Sequence, residues 1–77
     1  MLEIDAIETG KRIRALLNEK GYSYDKTAEA IDVDTQSVYK WCRGVRNISL
    51  RNALNLALFL ETDIHEFVAF KEVDEWN

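Results

Sequence analysis

Five times in 77 residues an Asp or a Ser stands at the head of a short run with helical spacing: Asp5, Ser23, Asp34, Ser49 and Asp63. A short side-chain oxygen at that position accepts a backbone N–H that the first helical turn leaves unpaired, so each one marks a helix start. Proline is absent, β-branched residues are scattered, and no stretch alternates apolar and polar residues cleanly over six positions. The chain is therefore expected to be all-α, a compact five-helix domain with no strands.

The individual helices follow from the caps. Asp5-Ala6-Ile7-Glu8 reads as a capping box that opens a first helix ending at Gly21, with Ile13, Leu16 and Leu17 as its apolar stripe. Gly10 weakens its first turns by about 1 kcal/mol relative to Ala. Ser23 caps a second helix over Tyr24 to Ile31, and Asp34 a third over Thr35 to Arg43, stopped by Gly44. Ser49 caps a fourth over Leu50 to Leu60, and Asp63 a short fifth carrying Ile64, Phe67 and Val68. One domain spans 1–77, with its core over about 5–69 and an acidic, loosely held tail over about 70–77.

Composition excludes several classes of function. At 47% hydrophobic residues the chain is too apolar for disorder, and 77 residues are too few for a two-domain enzyme. Cys42 is the only cysteine, which excludes a disulfide framework and a cysteine zinc site and fits a reducing compartment. No apolar run is long enough to span a bilayer, and the N-terminus is acidic where a signal peptide is basic. The expectation is a cytoplasmic protein with no membrane partner. No nucleophile–base pair is evident, so no enzymatic activity, cofactor, metal or small-molecule ligand is expected. His65, the only histidine, reads as a surface or capping residue.

The net charge of −4 argues at first sight against nucleic acid. Its distribution argues the other way. Residues 35–60 contain Lys40, Arg43, Arg46 and Arg51 and no acid, while the acids concentrate in residues 1–8 and 61–77. The second and third helices are separated by only three residues, so the chain must turn sharply between them, as in a helix-turn-helix. Ala28 is small enough for close helix approach, and Asp32 tolerates the left-handed conformation such a corner needs. On the third helix Val38, Trp41 and Cys42 form one apolar seam, extended by Val45 if the helix reaches it. Tyr39, Arg43, Gln36 and Lys40 fall between about 100° and 200° from Val38, away from that seam. Bases, an amide and a phenol are the groups that read base edges and grip phosphates.

The segments Gly10-x-x-Ile13-Arg14-x-Leu16, Ala28 to Val33, Val38-Tyr39-Lys40-Trp41-x-Arg43-Gly44, Asn47-x-Ser49-x-x-Asn52 and Asp63-Ile64-x-Glu66-Phe67 together resemble the lambda-repressor-like helix-turn-helix family of Cro and repressor proteins. The resemblance implies a five-helix bundle whose third helix enters the major groove of double-stranded DNA, usually as a homodimer on a palindromic operator. Gln36, Tyr39, Lys40 and Arg43 would then read bases, and Tyr24, Thr35, Arg46, Ser49 and Arg51 would hold the backbone. The family usually has Gln where Tyr24 stands, and often an Arg–Glu pair where Leu17 and Cys42 stand. The double apolar change predicts that Leu17 touches Cys42.

Leu58 and Phe59 lie outside the apolar cluster of the fourth helix. With Phe70, Val73 or Trp76 they form either a dimer or partner patch, or a surface that the tail covers within one monomer. That leaves a second functional class beside a transcriptional regulator: a protein-interaction module of antitoxin or adaptor type with weak or no DNA binding.

Overall fold

The computed structural model describes residues 1–74. Four α-helices, α1 (Ala6–Lys20), α2 (Tyr24–Ala30), α3 (Thr35–Cys42) and α4 (Leu50–Leu60), are followed by a single 3-10 turn over Ile64–Glu66. Two three-residue strands frame them, β1 (Leu2–Ile4) and β2 (Phe70–Glu72). Among the described residues there are thus four α-helices and a short antiparallel ribbon, not five helices.

All five caps form. Asp5, Ser23, Asp34 and Ser49 accept the backbone N–H three residues on, from Glu8, Lys26, Ser37 and Asn52. Asp63 accepts from the N–H of His65, and its carboxylate also lies 2.8 Å from the His65 ring. The capping box at Asp5 is only half made. Glu8 reaches forward to Arg12 instead of back, and the Asp5 N–H donates to the Ala69 carbonyl at 2.8 Å.

That last bond explains the missing fifth helix. Phe67, Val68 and Ala69 are buried in succession, a pattern no single helix face provides. The Ala69 N–H donates to the Thr9 hydroxyl oxygen at 3.0 Å, so both backbone groups of Ala69 are tied to the start of α1. The chain then runs on as β2, antiparallel to β1 with Ile4 opposite Phe70 and Leu2 opposite Glu72. Residues 70–72, expected as loose tail, are a strand, and the Val73 N–H donates to the Met1 carbonyl at 2.8 Å. Trp76 lies outside the described residues.

Each α-helix ends in the same way. After α1, α2, α3 and α4 a left-handed residue reverses the chain: Gly21, Asp32, Gly44 and Glu61. The next N–H reaches back to a carbonyl of the last turn, Tyr22 to Leu17, Val33 to Ala28, Val45 to Lys40 and Thr62 to Ala57. Two of these corners carry a Cβ in a conformation that costs a non-glycine residue about 1 kcal/mol or more. Glu61→Gly is therefore expected to raise the unfolding free energy by about 1 kcal/mol, read as a shift in urea midpoint at unchanged slope.

The core joins Ile13 and Leu17 of α1, Ala28 of α2, Val38, Trp41 and Cys42 of α3, Ala53, Leu56 and Leu60 of α4, and Phe67. Leu17 and Cys42 are both buried in this one cluster, where the resemblance places a charged pair in other members. Val45 does not extend the seam: α3 stops at Cys42 and Val45 is 65% exposed. Phe59, beside Leu58, is half-buried. Its ring packs on Tyr22 at 4.8 Å, and the Lys26 ammonium covers the Tyr22 ring.

Candidate nucleic-acid interface

The corner between α2 and α3 sets the site. Asp32 takes φ 58°, and Ala28, buried beneath α3, lets the two helices pack closely. Buried Val38, Trp41 and Cys42 then fix the roll of α3 about its axis. Everything on its opposite side is turned outward. Gln36 and Tyr39 are exposed and Lys40 is half-buried on α3, and Arg43, exposed, caps its C-terminal end.

Flanking groups complete the surface. Arg46 and Arg51 are exposed, and Ser49 sits at the start of α4 with its oxygen already accepting the Asn52 N–H. Asp34 is held below the usual carboxylate range chiefly by the backbone and side chain of Ser37, with lesser help from the charges of Lys40 and Arg46. Both bases therefore lie within electrostatic reach of the point where α3 begins, although Arg46 is three residues past the end of that helix.

Two expected backbone contacts have partners inside the protein. The Thr35 hydroxyl donates to the Asp25 carboxylate at 2.9 Å, which ties the first residue of α3 to the first turn of α2. Tyr24 is half-buried; its ring meets Tyr39 edge-on, with centroids 4.6 Å apart and planes at 85°. The Cys42 thiol lies near enough to act on its phenol. Burial raises the pKa of the phenol first, and the thiol adds to the shift. Burial likewise raises the pKa of the Cys42 thiol, against smaller opposing effects of Tyr24 and Arg14.

Sequence reasoning overlooked Asp25 and Arg14 at this surface. Arg14 lies near enough to Tyr24 and Cys42 to act on both electrostatically. It shares a motif fragment with Ile13 and Leu16, but no local pattern shows that α1 carries it toward the start of α2. Among the described residues no helix is long and apolar enough to cross a membrane.

This geometry, two short helices around a left-handed corner with the second one fixed by its apolar seam and basic on its outer side, is that of a helix-turn-helix domain. A family model, Helix-turn-helix, matches residues 13–67. The restriction-modification controller protein C.AhdI from Aeromonas hydrophila is 36% identical over 82% of this chain and 96% of its own, with a TM-score of 0.78. The master regulator for biofilm formation SinR, solved in complex with DNA, is 28% identical over 74% of this chain and 95% of its own, with a TM-score of 0.69. The clp gene regulator ClgR from C. glutamicum, at 18% identity over 84% of each chain and a TM-score of 0.77, shares the fold. No curated protein matches the chain. The chain belongs to the helix-turn-helix family of Cro and repressor type and is a DNA-binding transcriptional regulator.

Proposed function

We propose that this protein is a non-catalytic, sequence-specific regulator that places α3 in the major groove of double-stranded DNA. Gln36, Tyr39, Lys40 and Arg43 read base edges there. Arg46, Arg51, Thr35 and the start of α4 at Ser49 hold phosphates. The observation that carries the reading is the outward side of α3: two bases, an amide and a phenol with no acid, on a helix whose roll is fixed by three buried residues. Thr35 enters this role by exchanging Asp25 for a phosphate oxygen. The relatives support the same reading, since SinR was solved with DNA and C.AhdI is a controller protein.

The reading includes a two-fold homodimer. Leu50, Leu54 and Leu58 are 72%, 50% and 77% exposed at four-residue spacing, which makes an apolar ridge along α4. Such a ridge packs against its own copy around a two-fold axis, and antiparallel packing sets the positive N-terminal end of one α4 near Glu61 of the other. Leu50 also borders an open apolar groove of about 300 Å³ that includes Ile4, Ala53, Val68 and Phe70. Leu58 and Phe70 thus remain in the proposed patch.

Selection from random duplexes, followed by salt titration on the enriched site, tests both parts. A motif with two-fold symmetry and half-sites about one helical turn apart is expected, with a negative log–log dependence of affinity on salt. Absence of any enriched motif would sink the reading and leave the fold as a protein-binding module.

A further inference from the structure

Tyr24 stands at the edge of the reading surface, half-buried, with its ring between the start of α2 and α3. Its ring edge lies against Tyr39. The Cys42 thiol, on the inner side of the same helix, is near enough to act on the Tyr24 hydroxyl. Residues 39 and 42 are neighbours on successive turns of α3, so the one side chain from α2 that meets Tyr39 also lies near the next turn. Tyr39 itself is 45% exposed, and its hydroxyl has no hydrogen-bond partner among the described residues.

We propose that Tyr24 is a positioning residue for sequence readout: its ring fixes the rotamer of Tyr39, and so sharpens discrimination at the base step Tyr39 faces, without touching DNA. This rests on the reading of Tyr39 as a base-contacting residue. An exposed tyrosine on a helix otherwise samples more than one χ1 well. An edge-on ring partner is favoured over a stacked sandwich and is directional, so it selects among those wells before DNA arrives. Ordering a side chain in advance removes that cost from the binding step, which corresponds to roughly two- to tenfold in affinity. The gain falls only on the duplexes whose base Tyr39 contacts, and therefore appears as specificity.

The proposal distinguishes ring from hydroxyl. Tyr24→Phe keeps the ring contact and removes the phenol; Tyr24→Leu removes the ring. Binding of the selected duplex and its single-base variants is measured for both, for Tyr39→Leu, and for the Tyr24→Leu/Tyr39→Leu double variant, with thermal melting of each. Tyr39→Leu is expected to flatten the preference at one base position. Tyr24→Leu should flatten the same position by roughly two- to tenfold, Tyr24→Phe should behave as the parent, and the double variant should match Tyr39→Leu alone. Tyr24→Met, a flexible side chain of similar reach, carries the same expectation and replaces Tyr24→Leu if that variant does not fold.

Uniform weakening on every duplex by Tyr24→Phe would instead show a phenol–phosphate contact and overturn the proposal. So would a Tyr24→Leu that lowers all affinities equally, or a double variant whose losses add. If Tyr39→Leu flattens no position while Lys40→Ala flattens one, the base-reading role of Tyr39 fails, the proposal falls with it, and the wider assignment of α3 stands.

Discussion

Gly10→Ala is expected to destabilise this domain by about 3 kcal/mol, although helix propensity alone favours Ala over Gly inside a helix by about 1 kcal/mol. Gly10 lies in the interior of α1, where that helix crosses the end of α3. A Cβ at this position would sit 2.7 Å from the Cys42 carbonyl oxygen and closer still to that of Trp41. Both are backbone atoms at the C-terminal end of a helix anchored by Trp41 and Cys42 in the core, so neither can swing aside as a side chain would. Relief requires α1 and α3 to separate, which opens the packing around Ile13 and Leu17. For a domain whose whole stability is on the order of 5–15 kcal/mol, that loss lowers the melting temperature by roughly 10–25 °C. Urea and thermal unfolding of the single variant check it, and an unchanged or higher melting temperature would refute the close crossing. Because the same contact sets the tilt of α3, DNA affinity should fall even where the variant remains folded.

Gly10 also marks the limit of what could be read from the residues alone. As a sequence feature it is a weak spot in a helix; the reason for it lies 31 residues away. The caps and corners were legible because their physics is local. An Asp or Ser accepts an N–H three residues on, and Asp32 sits where a left-handed residue must end α2. The seam of α3 was legible for a similar reason, since Val38, Trp41 and Cys42 need only the helical period to declare one side buried. The ribbon was not. Three-residue strands carry no periodicity, and Leu2–Ile4 finds its partner at the other end of the chain. Nor was the fate of individual side chains at the site. That Thr35 bonds Asp25, that Tyr24 meets Tyr39, and that Phe59 is covered by Tyr22 all depend on how helices pack. The residue types marked out an acid-free, basic outward side of α3, whereas its internal contacts needed the fold.

Lys40→Ala and Arg46→Ala should both weaken DNA binding, in different ways, and the contrast tests the assignment of roles across the surface. Lys40 stands on α3, half-buried, on the side turned away from the core. As a base reader it discriminates by about 1–3 kcal/mol, so its removal should cost roughly ten- to a hundredfold on the cognate site and little on duplexes already altered at that position. Arg46 lies beyond Gly44 in the loop to α4, outside the helix proposed to reach the bases. Its loss should lower affinity for all sequences alike and reduce the magnitude of the salt slope by about 1. The charge pattern makes the second effect easy to see. Only four bases populate residues 35–60, and the ribbon joins the acidic chain ends, with Glu3 and Glu72 on its paired strands. With so few cations available, general affinity for duplex is expected to be low, and each phosphate contact becomes a large fraction of the whole. Competition binding against cognate, single-mismatch and unrelated duplexes at several salt concentrations separates the two variants. If Arg46→Ala flattens one base position, or Lys40→Ala weakens every sequence equally, the two roles are exchanged and α3 meets the groove at a different roll. If both bind as the parent does, the protein uses another surface.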